Sequence, residues 1–484
     1  MFIRPCPHTD GPARSRDSLT GWRAALALTT AGTLAAAGCA SSSPQPGAGQ
    51  HGADQHGATP AAHTASFPHT PAGTQASWLF GAEKNPPIPV SELTKHFDST
   101  FLTQVPAAKL SATLAGVSKL QLDSVSNSTQ ASLAFEVTAN GSSKLNVSLV
   151  VDSHGLISGL LLKPAGPPPT VPASPASWSG VTQEVRSVAP QVHFLAASVD
   201  GGACRPIQAI GANTPAPLGS AFKLYVLDAL ARAIAAGQVS WNQQLTVTSA
   251  VKSLPSGTLQ NEPDGTKLSV RQVATDMISI SDNTAANMLI ALVGRGAVEA
   301  AARETGMADP SLDVPFLNTS ELFVLKLDDW PKLADRYLSQ NAAGRQAMLS
   351  RTIDHVSPST LDAPGWTAPR DIGSLEWFAS PTDICHVYAS LAALARQPKL
   401  APLAQVLEKN PGDVNLPSGQ WQPDWFKGGS EPGVLTLNYL ATTRSGHTYL
   451  VSEMAANPAT AFAQTPATLK LISAARGAFA LASR

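Results

Sequence analysis

The chain has 484 residues, long enough for two or three domains, and its 43% hydrophobic content with 14% charge excludes a fibrous or wholly disordered protein. Its formal net charge is −1, so nothing in it argues for nucleic acid or anionic lipid as a partner, and no nucleic-acid partner is expected.

Residues 1–39 read as an export signal. Arg14, Arg16 and Arg23 precede an apolar run from Ala24 to Gly38, of a length suited to a signal core and too short to span a bilayer comfortably. The run ends Leu34-Ala35-Ala36-Ala37-Gly38-Cys39, and small residues before a cysteine resemble a bacterial lipoprotein cleavage site. Cys39 is therefore the expected lipidation site. It would hold the mature protein to the outer face of the cytoplasmic membrane; without lipidation the protein would be secreted. No later stretch is long and apolar enough for a membrane-spanning helix. With Cys6 in the signal, Cys204 and Cys385 remain as the cysteines that an exported protein could bridge. No Cys-x-x-Cys or His-Glu-x-x-His spacing occurs, and no metal or other cofactor is expected.

Residues 40–78 are rich in Ser, Pro, Gly, Ala, Thr and His, which bury too little apolar surface to offset ordering entropy. We expect a disordered tether, with His51, His56, His63 and His69 solvated rather than metal-binding. Residues 79–165 read as a small α+β domain. Val90, Leu93, Phe97, Phe101 and Val105 recur at helical spacing. Alternating runs follow at 133–137 and 145–151, with the hairpin dipeptide Asn140-Gly141 between them. A further strand is expected over 156–162, after a turn at 152–155 in which Asp152 and His154 are turn residues rather than a dyad. A helix on a curved antiparallel sheet is similar to the cystatin-like or nuclear-transport-factor-like folds. Prolines across 166–175 make a stiff linker.

Residues 176–484 form the long domain. A helix opens it, and a strand is expected near Val192–Val199. The helix after Ser220 is specified by Phe222, Tyr225, Val226, Ala229, Leu230, Ala233 and Ile234, with Gly237 as its stop. The segment from Gly433 to Met454 reads as two strands joined at Ser445-Gly446. Most of the middle is helical, and strands at both ends of the domain with helices between them imply a sheet built from both ends of the chain.

Three short motifs carry the chemistry. Ser220 stands one turn before Lys223; Ser281-Asp282-Asn283 follows; Lys427-Gly428-Gly429-Ser430 comes near the C-terminus. A lysine in the first turn of a helix opposes the helix dipole, which makes sense if its amine must reach the serine hydroxyl. Burial and a second cation would lower its pKa to a usable range. Ser249-x-x-Lys252 matches the first motif and Ser240-Trp241-Asn242 mimics the second; neither has the other elements at workable spacing, and both are read as chance.

In this order the motifs resemble those of the class A β-lactamase-like and penicillin-binding serine hydrolases. Within that family the chain is most similar to the branch of the β-lactamase-like proteins of clavulanic acid gene clusters and related actinobacterial lipoproteins, which also carry a cystatin-like N-terminal domain. The stretches 277–285, 315–323, 376–380 and 427–433 support the resemblance. It implies an antiparallel sheet with an all-helical subdomain and a serine acyl-enzyme. Ser220 would be the nucleophile and Lys223 its general base. Ser281 would relay a proton to the leaving group with Lys427 beside it, and Asn283 would orient Lys223 and bind substrate. Gly429 and Ser430 would bind substrate, the Ser430 N–H completing an oxyanion hole with that of Ser220. Asp282 is expected to shape the turn.

Two departures qualify the likeness. No Glu-x-x-x-Asn stands between Gly306 and Glu321 to supply the deacylating glutamate of efficient β-lactamases, and Glu321 falls within the next helix. Gly428 also replaces the usual Ser or Thr after the lysine, removing a hydroxyl that helps bind the β-lactam carboxylate; Ser430 could substitute. The expected function is an exported serine hydrolase with weak β-lactamase or esterase activity on a small acyl substrate, as a monomer. The alternatives are a penicillin-binding or D,D-peptidase-type enzyme and a non-catalytic envelope binding protein.

Overall fold

The computed structural model describes residues 66–484 apart from 118, 153, 166–169, 255 and 364. The expected signal, the expected lipidation site Cys39 and the histidines 51, 56 and 63 lie outside the described residues.

The first domain starts earlier than its sequence suggested. Helix α1 (Pro71–Ala82), capped by the Thr70 hydroxyl, occupies part of the expected tether. It buries Ala72, Ala76 and Leu79 on the sheet, and Phe67 stacks edge-on against Phe80 and Phe135. These few apolar residues, spaced three and four apart within a polar stretch, are enough for a helix once a sheet face covers them.

The single helix expected from Val90 to Val105 is two, α2 (Val90–His96) and α3 (Ser99–Gln104). Phe97 turns extended and Asp98 caps the second helix through the N–H groups of Thr100 and Phe101, so Val90 stays outside the core. Helix α4 (Ala107–Leu114) follows, then strands β1 (Gln121–Ser128), β2 (Ser132–Ala139), β3 (Ser143–Val151) and β4 (Ile157–Pro164) in an antiparallel meander. The β2–β3 turn holds Asn140 and Gly141 at φ 53° and 81°, which matches the right-handed twist of the hairpin. Asp152 accepts the N–H groups of His154 and Leu156 and is a turn residue.

In the second domain α5 (Trp178–Arg186) leads to β5 (Gln191–Asp200) and β6 (Ala203–Ile210). The two-residue strand β7 (Ala216–Pro217) precedes a 3-10 turn, Gly219–Phe222, which runs into α6 (Lys223–Ala235). A small ladder of β8 (Gln244–Thr246) and β9 (Lys267–Ser269) precedes α7 (Val270–Ser279), α8 (Asn283–Val293) and α9 (Arg295–Glu304). Helices α10 (Thr319–Leu327), α11 (Lys332–Leu338) and α12 (Ala342–Arg351) come next. Strand β10 (Phe378–Ala379) pairs with β7, and α13 (Pro381–Ala395) and α14 (Pro402–Leu407) lead to β11 (Trp425–Glu431), β12 (Val434–Thr442), β13 (Thr448–Ala456) and α15 (Gln464–Ala482).

The main sheet runs β11-β12-β13-β5-β6, every neighbouring pair antiparallel, so strands from the two ends of the domain meet at β13 and β5. One face packs on α5 and α15, the other on the helical core around the largely buried α6. The last residues of the expected linker belong to this packing, since Ser473 of α15 donates to the carbonyl of Ala173. A disulfide joins Cys204 of β6 to Cys385 of α13, tying the sheet edge to the helical layer. Among the described residues no single helix is long and apolar enough to cross a membrane.

Candidate active site

Ser220 stands in the 3-10 turn and Lys223 opens α6 directly after it, so the turn brings both side chains to one side. Helix burial does the rest. Lys223 has no exposed surface, and its Nζ lies within hydrogen-bond distance of four oxygens, Ser220 Oγ at 3.2 Å, Ser281 Oγ at 3.1 Å, Asn283 Oδ1 at 2.6 Å and the Ser281 carbonyl at 2.5 Å. Burial, with the nearby positive charge of Lys427, pushes the Lys223 amine well below the usual lysine range; Asp282 opposes the shift.

The Ser281-Asp282-Asn283 segment is a bent loop held from below. Ser281 adopts φ 58°, a left-handed conformation that costs a non-glycine residue about 1–2 kcal/mol. Asp282 holds it there. One carboxylate oxygen caps α8 at the Ala285 N–H and the other accepts from Thr258 and Leu259. Ser256 donates to the Ser281 carbonyl. Asp282 is thus a buried scaffold residue, as its sequence context suggested. Asn283 accepts from Lys223 through its carbonyl oxygen, while its amide nitrogen donates to the Leu254 carbonyl at 3.0 Å, so one of its two N–H groups is already committed within the protein.

The third element is the edge strand β11. Lys427, also buried, donates to Ser281 Oγ at 3.0 Å and to its neighbour's carbonyl, Gly428 O, at 2.7 Å. Burial brings its pKa down to about 7. Two residues on, Gly429 lies against the Ser220 turn. A Cβ there would fall 2.1 Å from Leu218 O and 2.6 Å from Ser220 N, so only glycine permits this approach. Pro432 and Gly433 make the two-residue turn that pairs Glu431 with Val434. That pair is hydrogen-bonded, so the next one, Ser430 with Leu435, is not, and the Ser430 N–H points off the sheet edge. It points at the Ser220 turn, because a Cβ on Gly219 would meet Ser430 N at 2.7 Å. Gly219 takes φ 50°, and Thr436 holds the turn by donating to Leu218 O.

The look-alike motifs lie elsewhere. Lys252 pairs with Asp264, whose carboxylate also accepts the Ser249 N–H, and Trp241 donates to Lys399 O within the core. Glu321 is also remote from the reactive groups. It completes a capping box with Asn318 and pairs with Arg295 at 2.5 Å. Among the described residues, no carboxylate hydrogen-bonds Ser220 or Lys223. Beside Phe222 the site is walled by rings, with Trp377 stacked on Phe222 at 3.7 Å and Phe316 set edge-on at 5.9 Å. Among the described residues no group of three or more His, Cys, Asp or Glu side chains is placed to hold a metal ion.

Sequence reasoning missed one cluster behind this site. Lys326, Glu431 and Glu376 are buried together, with Lys326 Nζ 2.5 Å from Glu431 Oε1 and 3.9 Å from Glu376 Oε1. Glu376 Oε2 accepts the N–H groups of Gly219 and Trp377. A lysine within an apolar run, Leu322-Phe323-Val324-Leu325-Lys326-Leu327, was the available signal.

Two serine hydroxyls and two buried lysines are thus set around one helix terminus and one sheet edge. Residues 181–350 match the beta-lactamase enzyme family, and residues 67–157 match the family described as ORF 12 gene product N-terminal. The likeness to β-lactamase-like enzymes thus lies in the second domain. Solved structures similar to the chain include a β-lactamase from Sphaerobacter thermophilus, 23% identical with a TM-score of 0.45, covering 63% of this chain and 97% of its own. Others are a β-lactamase from Chitinophaga pinensis, 16% identical (0.43; 63% and 98%), and PBP-A, 18% identical (0.42; 64% and 100%). No curated protein matches the chain.

Proposed function

We propose that the chain is an exported serine hydrolase that forms an acyl-enzyme on Ser220, with weak β-lactamase or esterase activity. The observation that carries this reading is the position of the Lys223 amine, within hydrogen-bond reach of both Ser220 Oγ and Ser281 Oγ and driven towards its neutral form by burial. Neutral Lys223 takes the Ser220 proton as Oγ attacks the substrate carbonyl carbon. The N–H groups of Ser220 and Ser430 meet the developing oxyanion. As the carbonyl carbon releases its leaving group, the Ser281 hydroxyl passes a proton to it and is resupplied from Lys223, with Lys427 holding the relay oxygen. Asn283 keeps Lys223 aimed.

Deacylation has weaker support. Water must attack the Ser220 ester without a carboxylate bonded to Ser220 or Lys223, so a bulky β-lactam acyl group should turn over slowly and a small ester faster. The same feature fits the second reading, a penicillin-binding enzyme whose acyl-enzyme persists. The disulfide supports export, since such bonds persist in oxidising compartments. A lipid anchor at Cys39 and a monomeric state complete the proposal.

Intact-protein mass after mixing residues 66–484 with a penicillin, a cephalosporin and a nitrophenyl ester tests it, beside Ser220→Ala. Adducts on wild type alone support the nucleophile, and their lifetimes separate hydrolase from penicillin-binding behaviour. An adduct on Ser220→Ala, or none on a folded wild type with any probe, overturns the reading.

A further inference from the structure

The cluster behind the site joins the two backbone segments that carry the oxyanion donors. Glu431 directly follows Ser430 on β11. Gly219, which directly precedes Ser220, donates its N–H to Glu376 Oε2 at 3.3 Å. Lys326 lies between the two carboxylates. On β11 the side chains of Lys427 and Glu431 share a face with Gly429, because alternate residues of a strand point the same way. The Ser220 turn rests on Gly429 with a buried lysine on one side and a buried glutamate on the other. We propose that Lys326 is a positioning residue, linking Glu431 to Glu376 and thereby setting the separation of the Ser220 and Ser430 N–H groups.

Two features show that the link is built rather than incidental. Lys326 is fully buried, and its only nearby carboxylates are these two among the described residues. Its own backbone is fixed, because Arg370 donates to the Lys326 carbonyl at 2.6 Å and the Trp366 ring lies 5.4 Å from its ammonium. Burial raises the Glu431 carboxyl well above its usual range; Lys326 pulls against this and Glu376 adds to it. Lys326 bonds to Glu431 and approaches Glu376, whose other oxygen accepts from Gly219. Gly219 and Ser430 are therefore coupled through side chains as well as through direct contact.

The inference rests on reading Ser220 as the acylated serine, and its test separates the two. Amide hydrogen exchange at Gly219, Ser220 and Ser430 is compared in the full chain for wild type and Lys326→Met, together with acylation by a nitrophenyl ester. Exchange at these three amides should quicken at least about tenfold while that of α13 is unchanged. The acylation rate constant should fall about tenfold or more at an unchanged half-saturating concentration, the pattern of a donor misplaced by a fraction of an ångström. Glu376→Gln keeps an oxygen acceptor for Gly219 and should retain more acylation than Glu376→Ala. Wild-type exchange at these amides, or wild-type acylation in a variant whose exchange has quickened, overturns the inference. If wild type itself takes no label, the reading of Ser220 falls, and exchange alone decides the link. Should Lys326→Met fail to fold, Glu431→Gln keeps the shape of the side chain and the same comparison decides.

Discussion

Lys427 and Lys223 both donate to one oxygen, the hydroxyl of Ser281, at 3.0 and 3.1 Å. A hydroxyl that receives two N–H donors has its own proton free to give elsewhere, which suits a relay. The same sharing places two buried amines close together, and the charge of Lys427 disfavours the charged form of Lys223.

A pH dependence follows. The active form of Lys223 is the neutral one, so acylation should rise with pH through its depressed pKa. Lys427→Ala removes a nearby positive charge, so the Lys223 pKa should rise and the rising limb of the pH–rate profile should move to higher pH. Stopped-flow acylation with a nitrophenyl ester across pH 5 to 10 reads the shift; a limb that stays in place would show that the two amines are not electrostatically linked. Lys223→Ala should slow acylation by about two to four orders of magnitude at every pH.

Lys427 also affects stability. Its folded pKa, about 7, lies below the unfolded value of about 10.4, so the unfolded chain binds more protons between these two pH values. The group therefore destabilises the fold most at or below pH 7, and the penalty shrinks as pH rises to 10. Lys427→Met should raise the melting temperature at pH 7, by about 1–4 kcal/mol of stability, while lowering acylation. The gain should shrink towards pH 10.

Glu453, at the centre of β13, is fully buried, and neither of its carboxyl oxygens has a hydrogen-bond partner. Burial raises its pKa well above the carboxylate range, with Glu184 adding to the shift. The fold then holds a proton that the unfolded chain releases above about pH 4.3, so stability is lost as pH rises from there. Glu453→Leu should stabilise the protein at pH 7 by about 1–3 kcal/mol and flatten its stability between pH 5 and 8. Thermal unfolding at several pH values is the measurement.

Glu321→Ala should leave hydrolysis of a nitrophenyl ester within about twofold of wild type, because the side chain serves Arg295 and the helix cap rather than Ser220. Stability should fall by about 1–3 kcal/mol, the cost of losing the charge-assisted bonds to the partly exposed Arg295 and the helix cap. A selective loss of deacylation in this variant would reassign the residue.

Cys204 and Cys385 are separated by 181 residues of chain, so their bond restrains a long loop of the unfolded state. Replacing both by alanine, or adding reductant, should lower stability by about 2–5 kcal/mol, read by denaturant unfolding.

Much of the second domain was legible because local rules suffice for it. Apolar spacing placed α6, the Ser445-Gly446 turn separated β12 from β13, and the serine and lysine motifs were close enough to their elements to be placed on them. In the first domain, Phe97 and Asp98 broke a helix that spacing alone joined, because the apolar side chains at 93, 97, 101 and 105 reach one core from two helices rather than one. Helix α1 was hidden in a polar stretch, since its stability comes from the sheet that covers it. The chain by itself determined which side chains are available for catalysis, since Ser220-x-x-Lys223, Ser281-Asp282-Asn283 and Lys427-Gly-Gly-Ser430 are local patterns. Only the tertiary structure decided that they meet, and that Lys326, Glu376 and Glu431 gather behind them. Burial sets their pKa values and long-range packing sets their distances, and neither is a property of a short segment.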